Sequence, residues 1–285
     1  MKHFIVGASG QVGGALVNEL RSRGEEVLGT YYDHPCPGYV RLDMRDRDGV
    51  AKALRNAAPD AIWIPGAMPD VDRCEREPEL SYAINVEGPT LLMEEAFARK
   101  TALVYFSSDY VFDGADGPYG ESAPVNPLQV YGRHKVEAER RLLSYENTLI
   151  IRPAWIYSDE RNPRNFVFRV LTALHQGSII KAAIDQYNTP TPAGPLASHA
   201  LDAWQAGYRG ILHLVGPERM TRADLVARIA RLAGYDHPEI DLVKLGDLPL
   251  PAARPAQGGL VTEMLSFAIQ ERFEDLDFRK ILGGM

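Results

Sequence analysis

A tyrosine and a lysine four residues apart could carry acid–base chemistry in this chain. Tyr131 and Lys135 lie in the run Tyr-Gly-Arg-His-Lys, where a helix is predicted to begin. Residues at this spacing share one helix face, so the ammonium can stand beside the phenol. A phenol has a pKa of about 10, and a nearby positive charge lowers that pKa. Such a tyrosine can protonate a carbonyl oxygen as hydride reaches the carbon, and the lysine can also hold the ribose of a nicotinamide.

A pair of serines could supply the third group. Ser107 and Ser108 follow the predicted strand 103–106. Active-site residues of an open parallel sheet lie at the carboxyl ends of its strands. A hydroxyl there can polarise a substrate carbonyl. Strand alternation favours Ser108, since Ser107 is expected to point toward the helices that cover the sheet. Tyr110 is excluded as the acid of this pair, because residue 114 is a glycine.

A glycine-rich turn near the start of the chain predicts a dinucleotide site. Gly7, Gly10 and Gly13 lie between the predicted strand 3–6 and the predicted helix 11–23. In such a turn the first glycine permits a tight bend, the second lets a pyrophosphate approach, and the third lets helix and strand pack closely. The helix N-terminus then offers N–H groups to the phosphates. The residues expected to contact the cofactor here are Gly7, Gly10, Gln11, Val12 and Gly13.

The predicted second strand, 27–31, gives a weak indication of which cofactor binds. Its end, Thr30-Tyr31-Tyr32, lacks the carboxylate that would hold a ribose 2′-hydroxyl, and Asp33 comes later than the usual position. His34 is the nearby cationic candidate, and no arginine is predicted there for a 2′-phosphate. NADP is therefore slightly preferred over NAD.

Two residues after the short apolar run 39–42 are further candidates. Asp43 and Met44 could contact the adenine of the cofactor. Asp43 could equally cap the helix predicted at 46–58, and both alternatives stay open.

Alternating strands and helices must position these groups. Apolar strands without polar alternation, separated by amphipathic helices, are typical of a parallel sheet buried on both faces. The sequence therefore predicts an α/β fold with a Rossmann-type doubly wound parallel sheet. The predicted strands are 3–6, 27–31, 61–64, 103–106 and 149–151, and the helices are 11–23, 46–58, about 78–99 and one from Tyr131.

The second half of the chain is less regular and predicts a smaller substrate-binding lobe. Helices are predicted at about 166–175, at 196–208 and after Thr221, which with Asp224 forms a capping pair; a strand is predicted at 211–215, and proline-rich loops at 185–192 and 248–256. We expect the dinucleotide-binding domain to comprise residues 1–158 and about 187–210. The lobe would comprise about 159–186 and 211–285.

Composition excludes several classes of protein. The 285 residues carry a formal net charge of −7 without a basic stripe, which argues against nucleic acid as a partner. No run reaches the roughly 18 apolar residues that a membrane span requires. Cys36 and Cys74 are the two cysteines, and the seven histidines are scattered, so neither a disulfide framework nor a metal site is expected. Two reduced thiols predict a cytoplasmic protein. It is expected to be a monomer or homodimer, and the charged outward positions of the helix at 131 disfavour a tight apolar interface there.

Several motifs together resemble the dTDP-4-dehydrorhamnose reductase family over residues 1 to about 260. The most specific run is Ser-Ser-Asp-Tyr-Val-Phe-Asp-Gly at 107–114; the others are 7–13, 71–75 with Asn85, 131–135, 185–191 and 211–217. The resemblance implies NAD(P)H-dependent reduction of a 4-keto-6-deoxyhexose attached to a nucleotide. It also implies that Ser108, Tyr131 and Lys135 are catalytic.

The same resemblance extends to residues around the substrate. It implies that Ala67 and Asn85 lie beside the cofactor, and that Tyr110 and Trp155 line the sugar pocket, although both aromatics could equally pack in the core. Arg254 would meet a diphosphate or lie solvated on the surface. The chain departs from the family at Ser108, where threonine is usual, at 65–67, where Pro-Gly-Ala replaces an Ala-Ala pair, and in the tail beyond residue 258.

Other functions fit part of this pattern. The regulatory beta subunit of methionine adenosyltransferase resembles the same family and acts as a binding partner. A nucleotide-sugar epimerase that recycles its cofactor is also possible. A dehydratase is disfavoured, because Ser108-Asp109-Tyr110 lacks the glutamate of the usual Thr-Asp-Glu run.

Overall fold

The computed structural model describes residues 1–159, 165–264, 267–271, 275 and 281. Within these residues a seven-stranded parallel sheet has the strand order β11-β6-β5-β4-β1-β2-β3. Its strands are β1 (Lys2–Ile5), β2 (Glu26–Tyr31), β3 (Val40–Arg41), β4 (Ala61–Ile64), β5 (Ala102–Phe106), β6 (Thr148–Arg152) and β11 (Gly210–His213). The chain runs outward from β1 to β3 and then returns to the other side of β1 for β4. The strand order therefore reverses between β1 and β4, which is where such folds bind ligands.

Helices cover both faces of the sheet, as the strand composition predicts. One face packs on α1 (Gln11–Ser22) and α8 (Ala193–Gln205), and the other on α2 (Arg47–Ala57), α5 (Gly88–Arg99) and α6 (Val130–Leu142). Alternation within each strand divides the core: Ile5 packs with Leu16 on the first face, and Phe4 packs with Leu54 on the second. The predicted doubly wound α/β fold is confirmed.

The helix predicted at 78–99 is interrupted. The segment comprises α4 (Pro78–Tyr82), a π-helical turn (Ala83–Glu87) and α5, and α3 (Val71–Arg76) precedes it. Pro89 has no N–H group to donate to the Asn85 carbonyl. The Gly88 N–H bonds to the carbonyl of Ala83, five residues earlier, which is the bond of a π-helical turn. Asn85 lies within this turn.

A smaller lobe follows β6. It contains α7 (Phe166–His175), α9 (Arg222–Leu232) and the parallel pair β8 (Ile180–Ala183) and β13 (Ile240–Val243) around one apolar cluster. The predicted capping box of Thr221 and Asp224 begins α9. The predicted division at residue 210 stays a prediction, and β11 pairs with β6 in the main sheet.

The loop predicted at 185–192 contains two short strands instead of being irregular throughout. Tyr187–Asn188 (β9) pairs with Met220–Thr221 (β12), and Thr191–Pro192 (β10) pairs with Ile156–Tyr157 (β7). These pairs join the lobe to the ends of the sheet strands. In the described part of the chain, no helix is long and apolar enough to cross a membrane.

Candidate active site

The three predicted catalytic residues meet at the carboxyl end of β5. Ser108 lies two residues past β5, and its hydroxyl is close enough to the Tyr131 phenol to lower the pKa of that phenol. Tyr131 and Lys135 lie in the first two turns of α6, and the Lys135 Nζ atom is 5.7 Å from the centre of the Tyr131 ring. The structure therefore brings one hydroxyl, one phenol and one amine together, as their spacing predicts.

Lys135 is held in place by the backbone of β5. Its Nζ donates a hydrogen bond to the Phe106 carbonyl oxygen at 2.9 Å and lies 4.5 Å from the centre of the Tyr105 ring. Burial lowers the pKa of Lys135 to about 7, and the carboxylate of Glu139 opposes this shift. The lysine side chain is 1% exposed, so its direction is set by the protein and not by solvent.

The pKa of Tyr131 is raised in the protein alone, and the lowering expected from Lys135 together with a bound nicotinamide stays a prediction. Burial is the main cause of the rise, and the Ser108 hydroxyl opposes it. Tyr110 meets the Tyr131 ring edge-on, with 6.2 Å between the ring centres, and burial raises the pKa of Tyr110 to about 12. A phenol with a raised pKa stays protonated at neutral pH, so Tyr131 holds a proton that it could donate.

The two serines occupy different surroundings. The Ser107 hydroxyl is buried and has no hydrogen-bond partner among the described residues. The Ser108 hydroxyl donates to Asp109 Oδ1 at 3.2 Å and accepts from the Tyr110 N–H at 3.2 Å. Burial raises the pKa of Asp109 to about 6, and Asn188 Nδ2 donates to Asp109 Oδ2 at 2.7 Å. Ser108 is thus the serine beside Tyr131.

The glycine turn lies at the point where the strand order reverses. Gly7 has a positive φ of 87°, and a Cβ there would stand 2.7 Å from the Gly66 Cα. A Cβ on Gly13 would stand 2.2 Å from the Gly7 carbonyl oxygen, so helix and turn pack without room for a side chain. A Cβ on Gly10 would meet only that oxygen, at 3.4 Å, so its surface is left open.

The start of α1 is free to hold an anion. Gly10 caps it without a side chain, and its first turn has no acidic residue. The residues present therefore fit a dinucleotide phosphate. Gln11 donates from Nε2 to the Ser158 hydroxyl at 3.0 Å, whereas the Val12 side chain packs in the core and could meet a cofactor only through its backbone.

Asn85 positions the loop that follows β4. Its Oδ1 accepts from the Met68 N–H at 2.9 Å, and its Nδ2 donates to the Met68 carbonyl at 3.1 Å. Asn85 is buried, and Ala67, next to Met68, is partly exposed in this loop. Met44 lies against the loop as well, because a Cβ on Gly66 would stand 3.2 Å from its Cε. The predicted cofactor contacts of these residues stay predictions.

Asp43 does not cap the following helix. Asp46 caps α2 by accepting from the Gly49 N–H, and the Asp43 carboxylate pairs with Arg45 at 2.6 Å. The Arg45 guanidinium holds the pKa of Asp43 below its usual range. An adenine contact for Asp43 stays a prediction.

Two arginines missed in the sequence lie beside the end of β2. Arg41 and Arg45 place their guanidinium carbons 5.5 and 5.4 Å from the centre of the Tyr32 ring, and Arg45 donates to the Tyr32 hydroxyl at 2.7 Å. The expectation that His34 is the nearby cation is wrong. The parallel pairing of β2 with β3 places Tyr31 opposite Arg41 and so brings these residues together. Because β3 has two residues, its pairing could not be predicted from the sequence.

Trp155 and Arg254, the other two residues predicted to contact the substrate, contact different kinds of neighbour. Trp155 has a positive φ of 34°, and the guanidinium carbon of Arg222 lies 3.4 Å from the centre of its ring. Arg254 pairs with Asp72 at 2.8 Å with its side chain 13% exposed, so it is not a solvated surface arginine. Nothing in the local sequence around Arg222 indicated its place against Trp155.

His134, which lies between Tyr131 and Lys135 in the chain, is partly buried. Its Nδ1 lies 2.9 Å from the Ser81 hydroxyl, which accepts from Asn85 Nδ2 at 3.1 Å. The described residues include no group of three histidine, cysteine, aspartate or glutamate side chains placed to bind a metal.

A doubly wound sheet with a glycine turn at its switch point, and a Ser-Tyr-Lys set beside it, defines an α/β protein of the dinucleotide-binding class. The chain belongs to the RmlD substrate binding domain family, which it matches over residues 1–280. The resemblance seen in the motifs is therefore confirmed.

Individual relatives cover nearly the whole chain. A probable low-salt glycan biosynthesis reductase of Haloferax volcanii is 32% identical over 91% of this chain and 89% of its own length. The crystal structure of a dTDP-4-dehydrorhamnose reductase from Clostridium acetobutylicum superposes with a TM-score of 0.89 at 30% identity, covering 100% of both chains. Methionine adenosyltransferase 2 subunit beta of Xenopus tropicalis is 27% identical over 96% of this chain and 90% of its own length.

Proposed function

We propose that the protein is an NADPH-dependent reductase of a keto group on a nucleotide-linked sugar, with dTDP-4-dehydrorhamnose as the expected substrate. The observation that carries this proposal is the placement of the Ser108 hydroxyl beside the Tyr131 phenol, with the Lys135 Nζ atom 5.7 Å from the centre of the phenol ring. The reductase named among its relatives, similar along its full length, supports the choice of substrate.

Tyr131 is the proposed proton donor. Its raised pKa keeps the phenol protonated until a developing alkoxide nearby accepts the proton. Ser108 would hydrogen-bond to the same carbonyl oxygen and stabilise its growing negative charge. Lys135 would hold the nicotinamide ribose, and its position is set by the bond to Phe106. The nicotinamide supplies hydride to the carbonyl carbon when it is bound.

The preference for NADPH rests on the arginines beside β2. A ribose 2′-phosphate is an anion that bidentate guanidinium groups bind well. Arg41 and Arg45 are held next to Tyr32 at the end of β2, where dinucleotide folds place the adenine ribose. No carboxylate at residues 30–32 would repel the phosphate.

A regulatory subunit is the second candidate, because a methionine adenosyltransferase subunit is similar over most of the chain. A binding partner has no need of a complete catalytic set. The close placement of Ser108, Tyr131 and Lys135 therefore favours the reductase.

The purified protein should be incubated with NADPH and dTDP-4-dehydrorhamnose, while the absorbance of the reduced nicotinamide is followed. We expect stoichiometric oxidation of NADPH by the wild type. In the Tyr131→Phe variant the rate should fall by about 100-fold or more, with NADPH affinity unchanged. Binding of NADPH without turnover of this and related keto sugars would reject the reductase and favour the regulatory subunit.

A further inference from the structure

Arg222 is a cation with aromatic neighbours and no acceptor. Its guanidinium carbon lies 3.4 Å from the centre of the Trp155 ring and 4.3 Å from that of Phe166. In the described residues, no carboxylate pairs with this guanidinium and no oxygen accepts from it. A guanidinium has five N–H donors, and a half-buried one without acceptors is unfavourable until a ligand supplies them.

The surroundings of Arg222 are positive. Burial lowers its pKa to about 10, and the charges of Arg169 and Arg254 act in the same direction. The carboxyl group of Asp109 opposes them, but its oxygens accept hydrogen bonds from Ser108 and Asn188, and it forms no ion pair with Arg222. An anion bound here would balance the positive charge of Arg222 and its neighbours.

Arg254 is less available than Arg222. Two of its nitrogens donate to Asp72 and to the Ala252 carbonyl, each at 2.8 Å. Asp72 also accepts from the Ala252 N–H at 3.0 Å, which fixes the loop that carries Arg254. Arg254 was expected from the sequence to contact a diphosphate. Because Arg254 is paired with Asp72, Arg222 is the better candidate for that contact.

The position of Arg222 suits the far end of a sugar. Trp155 follows β6 on the same sheet edge as Ser108, and Tyr110 stands edge-on to Tyr131. Arg222 lies close enough to Tyr110 to act on the pKa of its phenol. In a nucleotide-linked 4-keto sugar the diphosphate leaves the ring opposite the keto carbon. A keto carbon at Tyr131 thus places the diphosphate away from the phenol, and Arg222 is a cation near Tyr110 that such a diphosphate could meet.

We propose that Arg222 binds the diphosphate of the nucleotide-sugar substrate, with its guanidinium held over the Trp155 ring. The Trp155 Nε1, which has no partner among the described residues, is a further donor beside this site. This inference rests on the proposed function, because it names the group that recognises the nucleotide sugar of that reaction.

The test is a calorimetric titration of the NADP⁺-bound protein with dTDP and, separately, with thymidine. Arg222→Gln should weaken dTDP binding by about tenfold or more, since a hydrogen bond to a charged group is lost, and leave thymidine binding unchanged. Arg222→Lys should lose less than the glutamine variant. NADP⁺ affinity should be the same in all three proteins. Arg228→Gln is the matched control, because Arg228 lies on the same helix and pairs with Glu218.

Wild-type affinity for dTDP in Arg222→Gln would overturn the inference and leave the proposed reductase intact. An equal loss of dTDP and thymidine affinity would overturn it too, because that result shows a general disturbance of the lobe. Failure of the wild type to bind dTDP more tightly than thymidine would count against both the inference and the nucleotide-sugar substrate.

Discussion

The ammonium group of Lys135 donates a hydrogen bond to the carbonyl oxygen of Phe106 across 2.9 Å. Phe106 is the last residue of β5, and Lys135 lies in the second turn of α6. The bond therefore ties the helix that carries Tyr131 to the strand that precedes Ser108. The relative position of the phenol and the hydroxyl depends on this contact between helix and strand.

Substitution of the two serines should separate their roles. Under the proposed function, Ser108→Ala should lower kcat by about 10- to 100-fold, because a donor to the reacting oxygen is lost. Ser107→Ala should leave kcat nearly unchanged, since the Ser107 hydroxyl has no partner among the described residues. Steady-state kinetics of both variants measure the contrast. A larger loss in Ser107→Ala would assign the catalytic hydroxyl to the other serine.

Replacement of Lys135 by methionine should change the pH dependence of stability. The pKa of Lys135 is about 7 in the folded protein and about 10.5 in the unfolded chain. At pH values between these two, the folded state therefore binds fewer protons than the unfolded state. The penalty for burying the ammonium is full below pH 7 and disappears as pH rises toward 10.5. From pH 7 to pH 9 the free energy of unfolding of the wild type should rise by about 2 kcal/mol relative to that of Lys135→Met.

Urea unfolding at the two pH values measures this difference. Lys52→Met is the control, because Lys52 is exposed on α2 and its substitution should have the same effect at both values. A constant difference between wild type and Lys135→Met would show that the lysine is charged throughout this range.

Substitution of Arg45 should affect one cofactor more than the other. In Arg45→Gln a charge-assisted hydrogen bond to the 2′-phosphate is lost, so the Kd for NADPH should rise about tenfold while that for NADH changes little. Fluorescence titration of the two reduced cofactors gives both constants. Arg47→Gln, which removes a nearby arginine paired with Glu94, should leave them unchanged. Equal weakening of NADPH and NADH would contradict a 2′-phosphate contact.

Two glycines of the turn should respond differently to alanine. A Cβ on Gly10 meets only the Gly7 oxygen at 3.4 Å, so Gly10→Ala should fold with a melting temperature close to that of the wild type but bind NADPH at least about tenfold more weakly. A Cβ on Gly13 would stand 2.2 Å from the same oxygen, so Gly13→Ala should be destabilised by about 2 kcal/mol or more. Melting curves with and without NADPH distinguish the two. Normal NADPH affinity in Gly10→Ala would place the pyrophosphate elsewhere.

Much of the fold follows from local pattern. The predicted strand 61–64 and the predicted helix 166–175 coincide with β4 and α7, because apolar runs and helical spacing are properties of neighbouring residues. The segment predicted as a helix at 78–99 is helical throughout, but its middle turn is π-helical and was not predicted. Pro89 was visible in the sequence, but the π-helical turn that it favours also depends on how Met44 packs against Gly88.

The sequence alone determined the glycine turn, the Tyr131–Lys135 pair and the serines after β5, because each rests on short spacings that a helix or strand converts directly into proximity. Only the tertiary structure decided that Arg41 and Arg45 lie against Tyr32. It also decided that Arg254 pairs with Asp72, whereas Arg222 has no counter-ion among the described residues. Those contacts join residues far apart in the chain. They depend on strand register and on the packing of the lobe against the sheet, and no local pattern records either.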